Sequence, residues 1–292
     1  MKHKSKTPEK FPFQEELIDL IKKELPLHSL YVISAYKEKQ RQNIFLSPQS
    51  TSSQKAITYT LLIVCHKPVS KGLGDFMDDL YNKMQQQCRV YAIVYTLSNV
   101  IKKIDTGDNF LTRTIDETTC MYQEDEVLSR FSRYGLLCHK NVYELIQSEW
   151  NSRMARASYL LSIIDVIDYK EEPTSKLAVM HYALEQICIA LLYIFWEFKP
   201  SHYSLSYLMH LCSHFTDLPQ TVFPKSTYGL QRMFYILCNA HHLMRFKNSN
   251  EFTERDADKA YNRCERFFEE AKKLGEAQLE HLKEHHCKPS NQ

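Results

Sequence analysis

One stretch constrains this chain more than any other: Lys176 to Leu205, KLAVMHYALEQICIALLYIFWEFKPSHYSL. Leu177, Met180, His181, Leu184, Ile187, Cys188, Leu191, Leu192 and Phe195 recur at steps of three and four, which places them on one broad face of a 3.6-residue helix. A face this wide is expected to be buried in a helical bundle. Thr174, just after Pro173, is expected to cap the N-terminus of the helix. Pro200 is expected to stop it, with Ser201 or His202 opening the next helix at Tyr203. The apolar core from Ile187 to Trp196 is shorter than the roughly 20 residues that a bilayer span requires, so no membrane segment is expected.

The chain has 292 residues, enough for two domains with a core each. Its 6 glycines are few for linker-rich or disordered protein, and the aromatic and aliphatic content points to a helix-rich folded chain. A net charge of +2 supplies no global field that would force nucleic-acid or membrane binding. The first residues, MKHKSKTPEKF, are basic but lack the apolar run of a signal peptide. The 9 cysteines are scattered through apolar contexts without a CxxC pair, so reduced thiols and a cytoplasmic setting are expected.

The first part alternates helix and strand. Residues 13–25 form an amphipathic helix that Pro26 ends. LYVISAY (Leu30–Tyr36), AITYTLLIVC (Ala56–Cys65) and RVYAIVYT (Arg89–Thr96) read as strands. Helices are expected over Phe76–Gln87 and Leu97–Lys103, and Phe110–Tyr122 closes the domain as a helix or a strand. From Glu124 onward only helical patterns occur: Val142–Tyr169, the central helix, Tyr203–Phe215, Tyr228–Phe246 and a last helix towards His286. Thr253 opens that last helix, with Asp256 three residues on in a shortened capping box. The predicted fold class is therefore α+β, an α/β domain followed by an all-helical up-and-down bundle. The predicted boundaries are 1–125 for the first domain, 126–147 for a connector, 148–287 for the bundle and 288–292 for a tail.

The stretch from Ala155 to Lys273 resembles a HEPN domain, of the type fused behind a minimal nucleotidyltransferase domain in bacterial proteins. The matching pieces are MHYALEQ (Met180–Gln186), EFKPSHYSLSYL (Glu197–Leu208) and LMRFKNSNEFTERDADKA (Leu243–Ala260). The first half resembles the nucleotidyltransferase partner through LYVISAY, YTLLIVC and RVYAIVYTLSNVIKKIDTGDNFLTRTI. That family holds a triphosphate with a Gly-Ser pair and magnesium with paired carboxylates, to which a later strand often adds a third. Here those positions fall on Ser34-Ala35, Thr58 and Thr60, and Tyr91. Neutral hydroxyls do not replace carboxylate charge at a magnesium site, so the resemblance implies a domain that has lost catalysis and in which magnesium is not expected. The acids Asp75, Asp78 and Asp79 belong to the helix after the strand, where an acidic first turn is the plainer explanation.

Many HEPN domains cleave RNA with an Arg followed a few residues later by a His. After Arg245 the chain reads FKNSNEF, with no His in range. The string from Arg133 to His139 has the spacing but lies in the connector, and the doublet His241-His242 precedes Arg245 in reversed order. His181 and Glu185 stand at i and i+4 on the central helix, where they can touch. By the resemblance they form a polar site with His202 and Arg245; the plainer reading makes His181 a hydrogen-bonded core histidine with Glu185 as its partner. Where the family carries a histidine after Lys-Pro, this chain has Tyr203, with His202 one position earlier. Lys37, Lys39 and Arg41 lead into a polar loop that could contact phosphates or simply be solvated. His281, His285, His286 and Cys287 could take up a metal adventitiously from a frayed end. The expected function is non-catalytic binding of a nucleotide or nucleic acid such as RNA, with a homodimer through the helices as the resemblance implies. An active nucleotidyltransferase or ribonuclease, and a purely structural interaction module, are the competing expectations.

Overall fold

The computed structural model describes residues 11–39, 55–166, 172–246 and 252–287. The chain is α+β and divides into two compact units, Met1–Leu136 and Leu137–Gln292. The division falls inside the expected connector.

The first unit carries a mixed four-stranded sheet. Helix α1 (Gln14–Glu24) leads into β1 (Leu27–Lys39), which pairs antiparallel with β2 (Lys55–Cys65). Helix α2 (Leu73–Lys83) crosses over to β3 (Cys88–Thr96), which runs parallel to β2, as a helical crossover permits. Helices α3 (Leu97–Asp105) and α4 (Asn109–Glu117) follow, and β4 (Thr119–Gln123) pairs antiparallel with β1, so the order is β3-β2-β1-β4. The segment expected as one closing helix or strand is thus both, in succession. Asp108 accepts the Leu111 N–H at 2.9 Å and starts α4, and Thr118 ends it in extended backbone.

Alternation along the strands decides which side is buried where. Leu30, Val32, Tyr59, Leu61 and Ile63 pack with Leu17 and Ile21 of α1 and Phe76 and Leu80 of α2 in one apolar cluster. Thr58 and Thr60 alternate with those residues and therefore face the other side of β2. A register irregularity between Val32 and Ser34 skips Ile33 and shifts the alternation of β1, so that Ser34 rather than Ile33 pairs with Thr60.

The second unit is all helix: α5 (Lys140–Val166), α6 (Pro173–Trp196), α7 (Leu205–Cys212), the short α8 (Leu218–Val222), α9 (Tyr228–Phe246) and α10 (Glu254–Cys287). The central helix is α6, which packs against α5, α7, α9 and α10. It is buried on nearly every side, with Ala178, Ala183, Ile189, Ala190 and Ile194 as enclosed as the predicted face. Four neighbours leave it little solvent-facing surface, which one amphipathic stripe does not foretell. Among the described residues it is the one helix long and apolar enough to cross a membrane, and 78% of its most apolar window is buried inside the protein.

Its ends differ from expectation. Glu172, not Thr174, occupies the N-cap, because Pro173 takes the first helical position, where its missing N–H costs nothing. At the other end Pro200 is not the stop. Glu197 turns into the left-handed region (φ 55°), its N–H bonds the Tyr193 carbonyl, and the helix closes at Trp196. Helix α7 then starts at Leu205, capped by Ser204, whose hydroxyl accepts the Tyr207 N–H at 3.4 Å. In the last helix the expected capping box forms: Thr253 N–H donates to Asp256 Oδ2 at 3.0 Å, and Asp256 N–H donates to Thr253 Oγ1 at 3.2 Å.

Candidate functional site

A cavity of about 860 Å³ lies between α6, the His202–Ser206 segment and α9. It brings together three of the predicted site residues, His181, Glu185 and His202. His181 is 2% exposed because α6 presents it to α9, where its Nδ1 lies 2.8 Å from the Leu237 carbonyl. A carbonyl only accepts, so Nδ1 carries the proton and Nε2 is left bare. The expected His181–Glu185 pair does not form a hydrogen bond; the carbonyl across the helix interface is the better acceptor within reach. Glu185 instead accepts a long contact of 3.5 Å from the Gln186 amide, and Gln186 in turn accepts from Arg153 at 2.9 Å.

His241, on α9, stacks on His181 with ring centroids 4.1 Å apart and planes 30° apart. Its Nδ1 is buried and has no hydrogen-bond partner. Burial pushes the His181 imidazole down to about 4, against the Leu237 bond, and His241 adds a smaller repulsion. Burial also lowers His241, helped by the charges of His242 and Arg245. Both rings of the stack are therefore neutral near pH 7. Glu185 moves the opposite way, raised by burial and partly offset by Arg153. Arg245 stands one turn beyond His241 at the exposed end of α9 and acts on the site through its charge.

The rim is aromatic. Tyr182, Tyr203 and Tyr235 line it at 39%, 51% and 59% exposure. Phe234 lines it too, with the Lys225 ammonium 4.1 Å from its ring centre. His202 packs edge-on against Tyr207, centroids 5.0 Å apart.

The first unit gathers the other predicted positions. Ser34 pairs with Thr60 and Thr60 with Tyr91, while Tyr36 pairs with Thr58 and Thr58 with Arg89. Ser34, Thr60 and Tyr91 thus form one cross-strand row, and Thr58 sits two residues along the same strand face. Thr58 and Thr60 are buried, whereas Ala35 and Lys37 are exposed. The row carries hydroxyls and a phenol and no carboxylate. The Lys39 side chain and Arg41 lie outside the described residues, as does the tail 288–292.

Sequence reasoning missed a Ser-His-Asp string in this unit. Ser29 Oγ lies 3.1 Å from His28 Nδ1, and His28 Nε2 lies 3.0 Å from Asp125 Oδ1. Ser29 and His28 are both fully buried, so no substrate reaches the hydroxyl and the string is a satisfied polar core. At the C-terminal end of α10, His281 and His285 do meet, centroids 4.5 Å apart. His286 turns inward and accepts the His139 N–H at 3.2 Å, so this end is packed rather than frayed as expected. Among the described residues no group of three or more His, Cys, Asp or Glu is placed to hold a metal ion.

No family model matches the sequence, and no curated protein matches it. Among solved structures, a nucleotidyltransferase-like protein from Exiguobacterium sibiricum aligns over 91% of this chain and 75% of its own, at 10% identity and a TM-score of 0.26. A likeness that loose carries neither fold nor activity across. What the site can do follows from its own side chains. Neutral stacked imidazoles and tyrosines offer flat faces to a planar ring, and Glu185, Asn239 and the histidines offer hydrogen bonds to its edge. The Lys225 ammonium supplies one positive charge.

Proposed function

We propose that the helical unit binds a nucleotide, free or within single-stranded nucleic acid, in the α6–α9 pocket without chemical turnover. The observation that carries this reading is the neutral His181–His241 stack beneath a rim of exposed tyrosines. Base–aromatic stacking contributes about 1–3 kcal/mol per base and tolerates different bases. In the same reading the sheet unit is a nucleotidyltransferase-like domain whose carboxylate positions are Thr58 and Thr60, the helical unit is HEPN-like, and the protein works in the cytoplasm as a homodimer through its helices. The experiment is thermal melting against nucleoside triphosphates, diphosphates and short RNAs, each with and without magnesium. A ligand held by the folded state alone adds about 2.7 kcal/mol at a hundred times its Kd. Stabilisation independent of magnesium, and lost in Tyr235→Ala, is expected. A shift that requires magnesium would overturn the non-catalytic reading, and no shift with any ligand would leave an interaction module.

A second reading has one observation in its favour. A carboxyl raised by burial beside histidines lowered by burial is the arrangement of paired proton donors and acceptors in enzymes. Under it, incubation with RNA yields cleavage that Glu185→Gln abolishes. Intact RNA after prolonged incubation with the parent protein would dismiss it.

A further inference from the structure

A second concavity of the helical unit, about 720 Å³, is built by α9 and α10 and shares no lining residue with the first. Its charge is one-sided: Arg232, Lys259, Arg263 and Arg266 line it with a single carboxylate, Asp256. That carboxylate is already engaged. Asp256 Oδ2 accepts from Thr253 N–H at 3.0 Å and Thr253 Oγ1 at 2.9 Å, and the Arg232 guanidinium lies 3.3 Å away. Two of the cations are anchored, Arg232 on Asp256 and Arg263 on the Val222 carbonyl, which leaves most of each guanidinium's five donors unused by those bonds. The other two, Lys259 and Arg266, are exposed and have no carboxylate partner among the described residues.

The spacing on α10 sharpens this. Lys259, Arg263 and Arg266 stand at i, i+4 and i+7, one stripe on one face of the helix. Like charges at that spacing destabilise an isolated helix. The N-terminal turn of α9, at Gly229 and Leu230, opens onto the same concavity, so its positive dipole end adds to the field.

We propose that this groove binds adjacent phosphate groups, either of a free oligophosphate anion or of a nucleic-acid backbone. Anchored arginines give fixed fork-shaped donors for phosphate oxygens, and the exposed lysine adds a point charge. The site is separate from the α6–α9 pocket and stands whether or not that pocket takes a base.

The test is titration calorimetry with tripolyphosphate, and salt-dependent binding of a short single-stranded RNA, on the full chain. The variants are K259Q/R266Q, K259R/R266K as the charge-retaining control, and Y235A in the other pocket. Both groove positions are exposed, so all three chains are expected to melt close to the parent. Tripolyphosphate affinity should fall at least about tenfold in K259Q/R266Q and stay in K259R/R266K and Y235A. If RNA supplies the phosphates, its log-affinity against log-salt slope should also fall by about 1.4, the value for two lost contacts on a single strand. A tripolyphosphate response alone marks the free anion as the source. Failure of the parent to bind either tripolyphosphate or RNA, equal tripolyphosphate binding by K259Q/R266Q, or an equal loss of tripolyphosphate affinity in Y235A would each overturn the assignment.

Discussion

His181 is a histidine the fold keeps neutral. Its imidazole is pushed down to about 4, well below its value in the unfolded chain, so below about pH 6.5 the unfolded state takes up a proton that the folded state refuses. The stability this ring supports is complete above that pH and is lost as the pH falls towards 4, by up to about 3 kcal/mol at about 1.4 kcal/mol per pH unit. Urea melts of the parent and of His181→Gln, taken from pH 7 to pH 4, should show the steeper loss in the parent. Parallel curves would mean that His181 titrates normally. Gly275 makes a second demand at this scale. A Cβ there would lie 2.0 Å from Cη2 of Trp150, a rigid ring in the buried seam between α5 and α10. Gly275→Ala gains about 1 kcal/mol of helix propensity but overpacks the seam by more. A net loss of about 2 kcal/mol in chemical denaturation is expected, and it should shrink in a Trp150→Leu background, as coupled neighbours do.

The elements show what local pattern can and cannot reveal. The three long strands were legible because β-branched and aromatic runs between polar breaks have few other uses, and the Thr253–Asp256 box was legible because its geometry is local. Helix ends set by unusual backbone were not. Helix α2 stops at Lys83, short of the predicted Gln87, because Gln85 and Gln86 adopt φ of 51° and 61° and the Gln86 N–H reaches back to the Tyr81 carbonyl. This is a glycine-type ending built without glycine. Gln85→Gly should therefore raise stability by about 1 kcal/mol in thermal melts, by relieving a left-handed conformation in an exposed residue. A neutral or negative change would mean the surrounding turn, not the side chain, carries the strain. Glu197 ends α6 in the same manner, which is why the proline at 200 misled. The site was half legible. His181, Glu185 and His202 stand out as polar groups near an apolar helix, and the fold does bring them to one cavity. The His241 stack, the Lys225 cation and the Tyr235 rim come from α9 and the segment before it, and only tertiary packing reveals that they face α6.

At the scale of the whole molecule, the two units share no helix or strand among the described residues, so each has grounds to unfold on its own. The chain has 2 tryptophans, Trp150 and Trp196, and both belong to the helical unit. Trp150 is 4% exposed with Gly275 against its ring, and Trp196 lies edge-on to His214 and Phe215, centroids 5.3 and 5.8 Å away. Indole emission is thus an optical channel tuned to one unit and blind to the other, whose aromatics are all tyrosine and phenylalanine. The slot cut by Gly275 has a spectroscopic meaning: the indole inside it should glow blue while α10 is docked and redden when α10 leaves, whatever the sheet is doing.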